Sequence, residues 1–313
     1  MLQEVARRLM ATIPVMGVVA IAVFALLHVT PGDPATIIAG DYATAEEVDR
    51  IRTRLGLDRP FLTQIAIWLG QVVRGDLGTS IFSGLPVTTL IGQRAEATTL
   101  LALYALLISV GVGVPLGVLA AWRRGSWVDR LVMIFAVSGF SMPVFWLGFL
   151  LVYVFSLGLG WLPVQGYVSL GESLLGCLRH LTLPAVALSC IYLALIARMT
   201  RASMLGVLDE DYIRTAFAKG LPPRRVLVHH ALRNAALPVV TIIGIGFALL
   251  IGGAVVTESV FAIPGLGRLT VDAIVRRDYP VIQGVVLVVS GVYVLINLII
   301  DLLYVVIDPR IRY

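Results

Sequence analysis

Six charge-free apolar runs divide the chain: Leu9–Gly32, Ala97–Trp122, Leu131–Gly171, His180–Ala197, Asn234–Thr257 and Tyr279–Ile300. Each reaches or approaches the roughly 20 residues that a helix needs to cross about 30 Å of hydrocarbon. Lipid offers backbone groups no water to pair with, so the runs predict helices. A transmembrane β-barrel would alternate apolar and polar residues, and these runs do not. The third run is long, but its tail, GWLPVQGYVSLG, carries Trp161, Pro163, Gln165 and Tyr167. That is interface and loop chemistry rather than a second span.

Two polar stretches interrupt the pattern. Residues 33–96 follow the first run, and within them Thr44 followed by Glu47 reads as a capping box, with Val48, Ile51 and Leu55 on one helical face. Pro60 then opens a second amphipathic helix with Phe61, Ile65, Trp68, Leu69 and Val72 on one side. Such a loop either caps the outer mouth of a bundle, meeting an incoming carrier, or rests in the headgroup layer. The other stretch, residues 201–235, contains LDEDYIRTAFAKGLPPRRVLVHHALRNAAL. Asp209 and Glu210 supply helix-start chemistry, good helix formers follow, and Gly220 with Pro222–Pro223 stops the short helix. A second basic helix then returns to the membrane after Pro238. In the second run, Gly113 and Gly117 form a GxxxG pair that permits close helix contact.

Composition agrees with the pattern. Of 313 residues, 58% are hydrophobic and 14% charged, and the mean hydropathy is +0.94. A water-soluble domain carries nearer a quarter charged residues. The expected class is therefore an all-α, polytopic membrane protein with six transmembrane helices. Charge then sets its orientation. With both termini cytoplasmic, the inner segments hold Arg7 and Arg8, Arg123, Arg124 and Arg130, seven bases from Arg198 to Arg233, and Arg310 and Arg312. The short outer loops hold only Arg179, Arg268, Arg276 and Arg277. Splitting the third run in two would expel the seven-base segment and reverse this positive-inside bias. The net charge of +5 thus reports topology, with no nucleic-acid partner implied. The organisation expected is a first helix within 1–32, an extracytoplasmic loop over 33–96, a membrane core over 97–306 that includes the cytoplasmic loop 201–235, and a cytoplasmic tail over 307–313. The first run is too long for a signal peptide and lacks a small-residue cleavage site before Pro31. Cys190 falls in a span and Cys177 in a loop, which gives no disulfide framework.

Candidate chemistry is mostly excluded. The only lysine is Lys219, flanked by Ala218 and Gly220, so no GK[ST] phosphate loop exists. No HExxH or GxSxG appears, and His28, His180, His229 and His230 make no metal cluster. Glu258 and Asp301 lie near or within apolar runs, where an acid is costly and by default a functional candidate. They serve packing or the interface, or else a proton relay or an intramembrane hydrolase pair. An ATP-independent channel is a further class, and it predicts ion flux from the chain alone.

The inner segment resembles the cytoplasmic EAA loop of ABC importer permeases: EAA, three residues, Gly, nine residues, then I-x-L-P. On this chain the pattern falls on Arg214–Thr215–Ala216, Gly220 and His230–Ala231–Leu232–Arg233. Ala216, Gly220 and Leu232 match, whereas Arg214, Thr215, His230 and Arg233 depart. The departures are similar to those of the dipeptide/oligopeptide-type permeases. TPGDPA (30–35), LGLDRP (55–60), GDLGTS (75–80), TESVFAIPGLGRLTVDAIVRRDYPVIQG (257–284) and the closing DPRIRY resemble the same subfamily.

The resemblance implies a type I ABC importer permease fold in the bacterial inner membrane, and a transport subunit without an ATPase site of its own. It implies a second homologous permease, two ATP-binding subunits that hold the ATP and Mg²⁺, an extracytoplasmic substrate-binding protein, and membrane lipid as surroundings. The chain itself would carry no cofactor. The ATPase-coupling residues would be Asp211, Tyr212, Ile213, Arg214, Thr215, Ala216, Phe217, Lys219, Gly220 and Leu221. Tyr212, Ile213, Ala216, Phe217 and Gly220 are expected to form one apolar ridge, flanked by Arg214 and Lys219, that inserts into an ATPase groove. A basic loop hugging anionic lipid is the competing reading of the segment. The solute implied is a di- or oligopeptide, with nickel, glutathione or a sugar-peptide as alternatives within the subfamily.

Overall fold

The computed structural model describes residues 2–29, 34–39, 43–54 and 57–307. Most of the TPGDPA stretch, the first two residues of LGLDRP and the DPRIRY ending fall outside these residues, as do the side chains of Ile51, Leu55 and Asp301. Among the described residues the structure is helical, and Thr79 and Pro86 form an isolated β-bridge.

In chain order the helices are α1 (Leu2–Val29), α2 (Pro34–Ala39), α3 (Ala45–Arg54), α4 (Phe61–Val73), α5 (Val87–Trp122), α6 (Trp127–Ser141) and α7 (Val144–Leu151). There follow α8 (Leu174–Leu208), α9 (Asp211–Ala218), α10 (Pro223–Arg225), α11 (Ala236–Val260), α12 (Leu266–Arg276) and α13 (Tyr279–Ile307). Two wider π-helical segments extend α7 over Val152–Gly158 and α10 over Val226–Leu232. Among the described residues, four helices are long and apolar enough to cross a membrane: α5, α8, α11 and the Tyr279–Ile300 part of α13.

The third apolar run, read from sequence as one span, is bent. α6 and α7 meet at a 105° bend. Pro143 caps α7 at φ −61°, ψ 133°, and Met142 before it is extended at φ −86°, ψ 130°. A proline disfavours helical backbone in the residue before it and brings no N–H, so the helix stops there and restarts in a new direction. Residues 159–173 are not helical, in keeping with the loop chemistry of that stretch. Cys177 is the other departure: it lies in the first turn of α8, buried, on the same helix as Cys190. Thirteen residues of helix hold the two thiols about 20 Å apart, far beyond disulfide reach.

The chain divides into two compact units: Met1–Ala95 with Leu269–Leu295, and Glu96–Arg268 with Ile296–Tyr313. In the first, the Thr44 capping box forms. Glu47 Oε2 accepts from the Thr44 N–H at 2.9 Å and its hydroxyl at 3.0 Å, and the Glu47 N–H donates back to Thr44 Oγ1 at 3.4 Å. α4 follows Pro60 and turns Ile65, Trp68, Leu69 and Val72 inward, with Phe24 of α1 stacked 5.6 Å from Phe61 and 5.4 Å from Trp68. Two of the subfamily-like stretches meet here. Ser80 of GDLGTS donates to the buried Asp278 carboxylate at 2.6 Å, and the Ile81 N–H donates to it at 3.2 Å. Gly284 is needed at this junction, because a Cβ there would lie 2.5 Å from Val87 Cγ1.

In the second unit, α8 is the central element. Leu181, Leu188, Ile196 and Ala197 on it are almost wholly buried. The main cluster joins α5, α8 and α11 with Phe261 and Ile263. The glycine pair in α5 faces α8 closely, since a Cβ on Gly113 would lie 3.0 Å from the Leu193 carbonyl oxygen and one on Gly117 2.6 Å from that of Ala197. α8 runs on for 35 residues, past the predicted span, and delivers the chain directly to α9.

Candidate coupling site

α9 is eight residues long, too short to hold its shape alone in water. Three local devices fix it. Its start is Glu210 in extended conformation (φ −75°, ψ 145°), and Asp211 places negative charge in the first turn, where the helix dipole favours it. Its end is a Schellman turn. The Gly220 N–H donates to the Phe217 carbonyl at 2.9 Å and the Leu221 N–H to that of Ala216 at 3.3 Å. Gly220 adopts φ +77°, which a residue with a Cβ enters only at a cost. Pro222 and Pro223 then redirect the chain into α10, so the sequence signals at Gly220 and the proline pair act at those positions. Finally, Ile213 and Ala216 pack into a second buried cluster with Met204, Val226, Leu227 and Ala231. Full burial of a side chain such as Ile213 contributes about 2 kcal/mol, enough to hold so short a helix to its own subunit.

That packing corrects the expected apolar ridge. Ile213 is 1% and Ala216 7% exposed, so they face α8 and the π-helical segment and are not available to a partner. Leu221 is half-buried against the same cluster. The outward surface consists of Tyr212 and Phe217, each a little over 40% exposed, together with Asp211, Arg214, Thr215, Lys219 and Gly220. Thr215 bonds back to the Asp211 carbonyl at 2.9 Å, and Arg214 reaches Asp211 at 3.3 Å. Tyr212 is steadied by Asn234, whose amide donates to the phenol oxygen at 3.0 Å and to the His230 carbonyl at 2.7 Å. Pro238 lies in the first turn of α11, where its missing N–H costs nothing.

An ion pair between α8 and α6 was not legible in the sequence. Arg201 of α8 grips Asp129 of α6 through two bonds, Nε to Oδ1 at 2.6 Å and Nη2 to Oδ2 at 2.8 Å. The same carboxylate accepts the Gly125 N–H at 3.0 Å. A second, exposed pair joins Arg124 to Asp209 at 3.2 Å. Ser126, three residues before Asp129, is a helix-start signal in the sequence, and its hydroxyl caps α6 by accepting the Asp129 N–H at 3.4 Å. Nothing in the spacing of two residues 72 positions apart points to their meeting.

Glu258 lies at the far end of α11, fully buried. Its carboxylate accepts the Thr98 hydroxyl at 2.5 Å and the Arg268 N–H at 2.9 Å. Among the described residues no group of three or more His, Cys, Asp and Glu side chains could hold a metal ion.

Comparisons with known proteins place this architecture. Residues 113–313 match the family described as binding-protein-dependent transport system inner membrane component, and residues 1–87 match the N-terminal part of such components. A probable peptide ABC transporter permease of Sinorhizobium fredii is 54% identical over 307 residues, 98% of each chain. A putative peptide transport system permease of Brucella abortus is 50% identical over 98% of each chain. A glutathione transport system permease of Escherichia coli is 46% identical over the full length of both. Among solved structures, a chain of the inward-facing MetNI methionine ABC transporter superposes with a TM-score of 0.59 at 19% identity, covering 70% of this chain and 96% of that one. At that identity the likeness concerns the fold alone.

Proposed function

The chain belongs to the family of binding-protein-dependent transport system inner membrane components, and we propose, from that premise, that it imports peptides by taking up the stroke of a partner ATPase through α9. It is a permease subunit of an ABC importer and a multi-pass protein of the bacterial inner membrane. A peptide cargo is favoured because relatives named for peptide transport are more similar than the glutathione permease compared with them, and glutathione is itself a small peptide.

The observation that carries the coupling role is the division of α9 into two faces. Ile213 and Ala216 fasten it to α8 and the π-helical segment, while Tyr212, Phe217 and Lys219 stand outward on that rigid base. An apolar pair beside a cation suits a groove on a soluble protein better than lipid headgroups, which need no fixed helix. Closure of the ATPases would move α9, and α8 and α11 on either side of it would carry the motion into the core, opening the pathway alternately to each side. ATP and Mg²⁺ would belong to two ATP-binding subunits. A second homologous permease would complete the pathway, and an extracytoplasmic binding protein would deliver the solute. Six spans, with both termini inside, follow if α1 and the bent α6–α7 pair are added to the four long apolar helices. The distribution of arginines supports that orientation.

The test is the assembled importer in proteoliposomes, carrying Phe217→Ala together with Lys219→Glu. Loss of a hot-spot contact predicts a fall of about tenfold or more in uptake and in substrate-stimulated ATP hydrolysis. Unchanged uptake and hydrolysis would overturn the coupling role.

A further inference from the structure

Resting on the permease reading, we propose that Glu258 is a positioning residue of the transport cycle, whose carboxylate latches the turn after α11 to α5 at Thr98, so that the end of α11 and that part of α5 move as one piece.

Glu258 is buried to 0% exposure at the last turn of α11. Its two oxygens point in different directions and hold different elements. Oε1 takes the Thr98 hydroxyl of α5 at 2.5 Å, and Oε2 takes the Arg268 N–H in the first turn of α12 at 2.9 Å. Thr98 closes the loop, because its oxygen accepts the Leu266 N–H at 2.8 Å. Separating these elements would break both of these bonds to a buried carboxylate, which is costly in a dry site.

The PGLG sequence that leads into α12 is shaped around that carboxylate. A Cβ on Gly265 would lie 2.2 Å from Glu258 Cδ, and one on Gly267 2.6 Å from Val255 Cα and 2.9 Å from Oε2. Gly265 thus leaves room for the Glu258 carboxylate, and Gly267 for the α11 backbone at Val255 as well as for that carboxylate. Before them, the Ile263 N–H bonds the Glu258 carbonyl at 2.9 Å, and Ile263 is wholly buried. A second strap joins the same place, as the Gly166 N–H donates to the Phe261 carbonyl at 3.0 Å and Gln165 to that of Val260 at 3.1 Å.

The latch lies at the opposite end of α11 from the coupling segment, 22 residues or about 33 Å along the helix. A displacement applied near Ala236 does work at the far end only if that end is stiff. With the latch intact, α5, α11 and the turn answer together. With it broken, ATP is hydrolysed while the far end follows loosely.

The experiment uses the complete importer with its partner permease, ATPases and binding protein, and reads solute taken up per ATP hydrolysed. Thr98→Val removes the donor at constant shape, Glu258→Gln leaves one acceptor oxygen for the two donors, and Thr98→Ser keeps the hydroxyl. The latch predicts that T98V and E258Q assemble and hydrolyse ATP but lose at least about fivefold in uptake per ATP, while T98S stays within about twofold of wild type. A wild-type ratio in assembled T98V overturns the proposal. So does failure of both T98V and E258Q to assemble, which would leave Glu258 a folding residue alone. A wild-type complex without ATP-driven uptake would instead refute the permease reading itself.

Discussion

A methyl group built on Gly117 would lie 2.6 Å from the Ala197 carbonyl oxygen and equally close to Thr200 Cβ. Backbone cannot retreat as a flexible side chain does, so α5 and α8 would have to part. Gly117→Leu should destabilise the protein by about 1–3 kcal/mol, the usual cost of overpacking. A lower midpoint of thermal unfolding in detergent would register it, whereas Gly111→Leu, with nothing within 4 Å, should leave that midpoint unchanged. The GxxxG spacing made a close approach legible at Gly113 and Gly117, but not that α8 is the partner. Glu258 was less legible still. Sequence showed an acid at the edge of an apolar run, which favours packing or the interface over a proton relay or a hydrolase pair. Only the donors around it, from Thr98 and Arg268, distinguish them.

At the scale of elements, the short helix, its glycine stop and its proline exit were readable because each depends on neighbouring residues. Which face of α9 turns outward was not. Tyr212, Ile213, Ala216 and Phe217 share an apolar arc, and periodicity cannot say whether that arc meets the chain itself or a partner. The structure splits the arc between the two, with Ile213 and Ala216 inward and Tyr212 and Phe217 outward. A bulky residue at Ala216 would therefore disturb the subunit before it disturbed any docking, so Phe217 and Lys219 are the informative positions. Asp129 and Arg201 belong at this scale too, since their pair ties α6 to α8 on the path between α9 and the core. Asp129→Asn should cost about 2 kcal/mol, below the value for a fully buried pair because Arg201 retains some exposure. Hydrogen exchange in the assembled importer checks this: faster exchange of the Gly125 and Asp129 amides is expected, with α13 unaffected. Equal protection in the variant would show that the pair holds nothing.

For the molecule as a whole, the apolar runs and the arginine bias were enough to specify a helical membrane protein, because lipid forces every backbone group to be satisfied within a helix. They were not enough to reveal the 105° bend at Met142–Pro143, since a proline in an apolar run either kinks a helix or breaks it. Nor did they show why two subfamily-like stretches, GDLGTS and DYPVIQG, occur in one chain. Ser80 and Asp278 supply that reason in a hydrogen bond spanning 198 residues of sequence. What unites these features is the claim that α9 is an inner lever gripped by a soluble ATPase. It is tested most directly by a photo-crosslinking residue at Phe217 in the complete importer within native membranes. The account predicts a covalent adduct with an ATP-binding subunit, and no reaction at that position with a membrane-impermeant reagent applied from outside. Absence of the adduct in an assembled importer, or labelling of position 217 from the outer side, would contradict it.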